Sequence, residues 1–236
     1  MDYAAAIAAA PPGWKHFSRR DIDRLPQAVK EHALPAIPID DVRLMRDGDA
    51  RAEERVLRAM FWTLLYQLEP QLWDRLAAAE PIADPLLAAL PRAAHALDVG
   101  AGSGRLTAHL VRSCERVIAL EPSLGLIELL RARVPEAQAI AAWAEAIPLP
   151  DGWSQLTAAC GAFGPEPAVL RELERVTWAR GVVALINPEQ PEWFESHGWR
   201  RSTFEPARVL AHDPSLDEFF GPPDPPRELV VKQVGG

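Results

Sequence analysis

HALDVGAGSGRLTAHLV (residues 95–111) joins two kinds of periodicity in one short span. Its first part alternates. Leu97 and Val99 point to one face of a strand and Asp98 to the other, so an acid stands where open α/β sheets bind ligands, at a strand's carboxyl end. Gly100, Gly102 and Gly104 follow at every second position, a spacing that permits positive φ and close backbone approach. A helical pattern then begins, with Ser103 or Gly104 expected to open the helix and aim its free N–H groups at a ligand. The reading predicts strand, glycine turn and helix, with something bound against the turn.

Outward from this stretch, short apolar runs alternate with helical patterns. Strands are predicted at HALDVG, RVIALEP, AQAIAAWAE, SQLTAACGAF, GVVALINPE, RRSTFEPARV and ELVVKQV. Helices are predicted at GRLTAHLVRSC, LGLIELLRARV, PAVLRELERVTW and EWFESHGW, the first carrying Cys114. The alternation signals a parallel sheet with helices on both faces. The last two strands have no predicted helix between them, so an antiparallel hairpin is expected at one edge. The fold class is therefore α/β: doubly wound, mostly parallel, with an antiparallel last strand.

Upstream the texture is helical. SRRDIDRLPQAVKEH holds a short helix with Ser18 or Asp21 as its N-cap. Val56, Leu57, Met60, Phe61, Leu64 and Leu65 make one apolar stripe, and Leu72, Trp73, Leu76 and Ala77 repeat the spacing after Pro70. DPLLAAL is a further short helix ended by Pro91. Two domains are expected, a helical segment over 1–90 and the sheet over 91–236.

The 236 residues are 48% hydrophobic, enough for a full core. Net charge is -8, which repels phosphate backbones and disfavours nucleic acid as a partner. Cys114 and Cys160 show no metal-ligand spacing and imply no disulfide framework. Asp2 stands where a signal peptide wants a cation, and no run reaches the roughly 20 apolar residues of a membrane span. A cytoplasmic location without membrane contact is the expectation.

The glycine spacing separates two kinds of ligand. A dinucleotide fingerprint is G-x-G-x-x-G, and counted from Gly100 its last glycine is Arg105 here. The second strand ends in Glu121, about 20 residues after Gly100, where a carboxylate suits a ribose diol. LDVGAGSGRL, ALEPS and WAEAIPLPDG together resemble, in order and at matching intervals, three motifs of the class I S-adenosylmethionine-dependent methyltransferases, small-molecule branch. The resemblance covers roughly residues 81–234 and implies their Rossmann-like seven-stranded fold. It implies that Asp98, Gly100, Ala101 and Gly102 line the methionine part of S-adenosyl-L-methionine, with Asp98 near its amino group. It places Glu121 on the ribose hydroxyls, and Pro122 and Ser123 beside the adenine. It further implies that Ala144, by its backbone N–H, and Glu145 border the adenine edge, and that Cys160 and Gly161 lie beside the sulfonium and the acceptor.

The chain departs from the family pattern at Trp143, where an acid often contacts the adenine amino group, and at ACGAFGPEP, which lacks the usual aromatic–histidine pair. Cys160 has Ala159 and Gly161 beside it rather than the proline of pyrimidine-methylating nucleophiles, so it reads as a small packing residue. His16, His32, His197 and His212 are candidates for a general base, while His95 and His109 read as structural. Trp62 and Trp73 read as core. Trp14, Trp153, Trp193 and Trp199 read as packing ahead of a substrate wall. Lys15, Arg19, Arg20 and Arg24 read as a solvated face. The expected function is direct SN2 methyl transfer to a small-molecule acceptor, with S-adenosyl-L-homocysteine as product. The acceptor is expected to meet the first 90 residues and the loop 211–226. Two rivals remain at this stage: a protein of this fold that binds the cofactor without transferring methyl, and an NAD-type oxidoreductase.

Overall fold

The computed structural model describes residues 3–209 and 213–235, so His212 lies outside the described residues. The chain divides into two compact units, Met1–Leu76 with Ala211–Pro223, and Ala77–Leu210 with Asp224–Gly236.

The first unit is helical. It holds α1 (Tyr3–Ala9), α2 (Arg19–Arg24), α3 (Gln27–Ala33), α4 (Ile39–Arg46), α5 (Ala50–Ala59), α6 (Phe61–Leu68) and most of α7 (Pro70–Ala79). Prolines punctuate it: Pro26 and Pro38 precede α3 and α4, and Pro70 opens α7, where a missing N–H costs nothing. Ser18 caps α2, its backbone N–H donating to Asp21 Oδ2 at 2.9 Å. Asp49 caps α5 by accepting from the Ala52 N–H at 2.7 Å. The stripe from Val56 to Leu65 is buried throughout. Its Phe61 ring packs on Phe17, Trp62, Phe219 and Phe220, with centroids 4.9–6.2 Å apart.

The second unit is the sheet. In chain order it contains α8 (Asp84–Ala88), β1 (Ala93–Val99), α9 (Thr107–Ser113), β2 (Cys114–Leu120), α10 (Leu124–Arg133), β3 (Gln138–Ile140), β4 (Ser154–Cys160), α11 (Pro167–Val176), β5 (Thr177–Ile186), α12 (Pro191–Ser196), β6 (Arg200–Thr203) and β7 (Glu228–Gln233); α13 (Pro214–Phe220), between β6 and β7, belongs to the helical unit. The strand order is β3-β2-β1-β4-β5-β7-β6. β1 to β5 run parallel, and β7 is antiparallel to both β5 and β6. Both faces are covered, as the alternation predicts. Ala96, Ala158, Ala184 and Ile186 pack with Leu86, Leu87, Leu106 and Leu110 on one side. Leu97, Val99, Ile118, Leu120, Val183 and Leu185 pack with Val169, Leu173, Val176 and Phe194 on the other.

Four local expectations are corrected. The first helix after the glycine loop opens at Thr107, not at Ser103 or Gly104. Gly104 has φ +93°, a left-handed conformation that no α-helix contains. Cys114 begins β2 rather than ending that helix. The AQAIAAWAE strand shrinks to Gln138–Ile140, pairing only with β2. Finally, α13 stands between the last two strands. Asp213 caps it by accepting from the Ser215 N–H at 3.0 Å, and Pro214 sits in its first turn. The compact sheet unit begins at Ala77, and Ile82, Leu86, Leu87 and Leu90 bury themselves with the sheet.

Candidate functional site

The site is built where β1 and β2 end side by side, Asp98 in register with Ala119 and Val99 with Leu120. Beyond them the chain must turn sharply. The Leu120 carbonyl accepts from both the Gly100 and Ala101 N–H groups, at 2.9 and 3.0 Å. Gly100, Gly102 and Gly104 take φ values of +69°, +56° and +93°, as their spacing predicts. Gly100 is doubly constrained: a Cβ there would lie 2.9 Å from Ala162 Cβ.

Asp98 is 1% exposed. Its Oδ2 accepts from the Thr107 hydroxyl at 2.6 Å, and its Oδ1 is buried with no hydrogen-bond partner among the described residues. Burial, reinforced by the nearby Glu121 charge, pushes its carboxyl up to about 7. Glu121 is 5% exposed. Its Oε2 accepts from the Gly102 N–H at 3.0 Å and its Oε1 from the Ser123 N–H at 2.9 Å. One residue thus ties the glycine loop to the start of α10. Each Oε keeps a lone pair, and burial pushes this carboxyl up to about 7 as well. Two buried carboxylates with spare acceptor capacity on one glycine loop are costly unless a ligand brings donors.

The other predicted residues surround this pair unevenly. Ala101 is buried against Ala119 and Leu130. Pro122 is half-buried, and Ser123 spends its hydroxyl capping α10, accepting from the Leu126 N–H at 3.3 Å. Ala144 is buried in the cluster that contains Ile118 and Leu120, and Glu145 is exposed on the next position of that loop. Cys160 ends β4, and Gly161 follows, exposed, at φ +63°. Burial raises the Cys160 thiol, which keeps it neutral and a poor nucleophile.

Sequence reasoning missed four contributors. Thr107 supplies the hydroxyl on Asp98. Arg105, noted only for breaking the dinucleotide spacing, donates from Nη1 to the Glu80 carbonyl and from Nη2 to Cys160 Sγ at 3.4 Å. Arg175 and Glu172 of α11 hold the 147–151 loop. Arg175 donates to the carbonyls of Ile147 and Leu149, and Glu172 accepts from the Ile147 N–H, all within 2.9 Å.

Three of the histidines have partners of their own. His197 stacks on Trp193 with centroids 3.7 Å apart, its Nδ1 2.7 Å from the Trp193 carbonyl. His16 faces Glu69 at 3.5 Å in the helical unit, and His95 stacks on Trp153. Trp62 and Trp73 pack in the aromatic cluster of the helical unit. Trp199 is buried beside Phe194, and Lys15, Arg19, Arg20 and Arg24 are exposed.

The chemistry of the donor-poor carboxylates fits S-adenosylmethionine, whose amino group and ribose hydroxyls are donors. Comparison with known proteins agrees. Residues 96–181 match the family model described as a methyltransferase domain. An uncharacterised methyltransferase of Mycobacterium tuberculosis is 44% identical over 119 residues, covering 49% of this chain and 48% of that protein. The match thus spans about half the length of the relative. Ribosomal RNA small subunit methyltransferase A of Salinibacter ruber is 48% identical over 59 residues, 25% of this chain and 19% of that protein. Among solved structures, a chain of the complex between the Haloferax volcanii Trm112 methyltransferase activator and a proposed methyltransferase superposes with a TM-score of 0.50 at 16% identity, covering 70% of this chain and 93% of that one. This last likeness is one of fold. The motif order and the family match over residues 96–181 together support a methyltransferase domain of the class I, S-adenosylmethionine-dependent kind in this part of the chain.

Proposed function

We propose that this protein is an S-adenosylmethionine-dependent methyltransferase acting on a small-molecule acceptor. The observation that carries the cofactor assignment is the orphaned Oδ1 of Asp98 beside Glu121 on the glycine loop. In this reading Asp98 receives the amino group and Glu121 the ribose hydroxyls. Ala144 offers its backbone N–H to the adenine edge, with Glu145, Pro122 and Ser123 around it, and Cys160 and Gly161 line the reacting end. When bound, the cofactor would supply a methyl group activated on a sulfonium, for in-line transfer to the acceptor with S-adenosyl-L-homocysteine as the leaving group. The chain's task is then alignment and exclusion of water, for which a dedicated general base is not required. The neutral Cys160 thiol supports direct transfer without a covalent enzyme intermediate.

Acceptor choice rests on charge. A net -8 opposes an RNA backbone, which favours a small molecule over the ribosomal RNA named for the Salinibacter relative. A cytoplasmic location belongs to the same reading, and no helix among the described residues is long and apolar enough to cross a membrane. The test is to incubate the chain with methyl-labelled cofactor and, separately, total RNA and a small-metabolite extract. Label is expected in the small-molecule fraction. Label in RNA contradicts the acceptor class, and no label in either fraction despite cofactor binding identifies a non-transferring protein.

A further inference from the structure

A cleft of about 780 Å³ opens at the amino ends of β1, β4 and β5, within the range that small-molecule sites occupy. All of its lining belongs to the sheet unit. Ala93 begins β1 at this cleft and Gly100 follows the other end of the strand, so roughly 20 Å separates it from the glycine loop at the usual strand rise.

One wall is an excursion of β5. Ser154 pairs with Thr177 and Leu156 with Val182, so β5 advances five positions while β4 advances two. The excursion is held firmly. The Arg180 N–H donates to the Val234 carbonyl at 2.8 Å, and the Val234 N–H donates to the Gly181 carbonyl at 2.9 Å. A Cβ on Gly181 would lie 2.8 Å from the Trp178 carbonyl oxygen and 2.9 Å from that of Gln155. Arg180 takes φ +72°, a left-handed conformation uncommon for a residue with a side chain. Strain of this kind gathers at functional sites. Its result here is an indole held in the open, for Trp178 is 54% exposed.

The charges of the lining are equally uncommitted. Neither the Arg92 nor the Arg180 guanidinium makes a hydrogen bond or ion pair among the described residues, on a chain of net charge -8. Glu115 is the acid of the lining, which therefore stays net positive. Gln155 lines the cleft too, its Oε1 accepting from the Ala94 N–H at 2.6 Å.

We propose that this cleft binds a planar aromatic anion, its ring stacked on Trp178 and its carboxylate paired with Arg92 and Arg180. An apolar ligand would leave two guanidinium groups desolvated and unpaired, and a simple anion would leave the indole uncovered. An aromatic carboxylate meets both needs, because a guanidinium fork matches a carboxylate and an aromatic face matches a ring. The site is distinct from the glycine loop, and a ligand held there is no methyl acceptor.

The probe is indole-3-acetate, titrated calorimetrically into the full chain up to about 10 mM, with indole-3-acetamide as its neutral analogue and acetate as the anion without a ring. Saturable binding of indole-3-acetate is expected, unchanged by S-adenosylhomocysteine, with both analogues about tenfold weaker or more. Trp178→Ala and Arg180→Gln should each weaken it about tenfold, and Glu115→Gln should tighten it about threefold by removing a like charge. Arg180→Gly loses the same affinity as Arg180→Gln without lowering the thermal midpoint, because glycine relieves the left-handed backbone. That variant separates a lost cation from a lost fold. Absence of saturable binding, displacement by S-adenosylhomocysteine, equal affinity for all three probes, or an affinity unmoved by both Trp178→Ala and Arg180→Gln overturns the proposal.

Discussion

Toward the amino ends of β4 and β5, Ser154, Thr157 and Thr177 bury three hydroxyls in one chain. Ser154 Oγ lies 2.5 Å from Thr157 Oγ1, which lies 2.6 Å from Thr177 Oγ1, and the ends close on the carbonyls of Val176 and Leu173. Gln155 beside them accepts from the Ala94 N–H at 2.6 Å. At the carboxyl ends of β1 and β2, Asp98 keeps one oxygen unpartnered and Glu121 keeps spare lone pairs, between glycines in left-handed conformations. The polar side chains of both regions are buried. The first satisfies its polar groups internally and so contributes stability. The second leaves acceptors open at a stability cost, which is how a prepared ligand site differs from a structural one.

Substitutions at the two ends therefore separate binding from folding. The largest effect is expected at Glu121. Glu121→Ala removes the acceptor for two ribose hydroxyls and weakens S-adenosylhomocysteine binding about 100-fold by calorimetry, equivalent to about 3 kcal/mol. Asp98→Asn comes next and has opposite signs in two assays. Affinity falls about 30-fold with the lost ammonium partner. Thermal stability of the ligand-free protein rises at pH 8, on the order of 2 kcal/mol. The sign follows from the raised carboxyl. The native state holds its proton up to about pH 7 while the unfolded chain releases it near the ordinary carboxylate value, so ionising Asp98 costs stability progressively as pH rises between the two. The advantage of Asp98→Asn accordingly disappears by pH 4. A variant without that pH dependence contradicts the assignment of Asp98 as a strained, open acceptor.

Thr157→Val, at the opposite end, should lower stability by about 1 kcal/mol in urea unfolding and leave affinity unchanged. A loss of binding there would erase the distinction between the two ends. The smallest effect is expected at His197→Ala. Its ring is exposed and stacked on Trp193, so methyl transfer and affinity should stay within about twofold of wild type and stability within about 0.5 kcal/mol. A large loss of turnover would make His197 the base that the geometry denies.

What the sequence shows of this molecule depends on how far apart the determinants lie. The alternation of Leu97, Asp98 and Val99, the glycines and Glu121 are local signals, each readable from its neighbours, and the structure brings them together as expected. Arg105 was opaque because its partners Glu80 and Cys160 lie 25 and 55 positions away. The same holds for α13, whose Phe219 and Phe220 pack on Phe61 from the far end of the chain. Its DPSL start looks like a loop until Asp213 is seen capping it. The late start of α9 was legible only in part. Three glycines announced left-handed turns, but the sequence alone did not say that Gly104 would still be left-handed at φ +93°. The 147–151 loop keeps its shape through Arg175 and Glu172, whose contacts cross from a separate helix.

The central claim is that the open acceptors at the carboxyl end of β1 and β2 are matched to S-adenosylmethionine. Calorimetric titration of the wild-type chain with S-adenosylhomocysteine and with NAD, in the same buffer at pH 8, addresses it most directly. The account predicts saturable one-to-one binding of S-adenosylhomocysteine that Glu121→Ala abolishes or greatly weakens, and no comparable heat from NAD. Preferential binding of NAD, or S-adenosylhomocysteine binding that Glu121→Ala leaves unchanged, would contradict it.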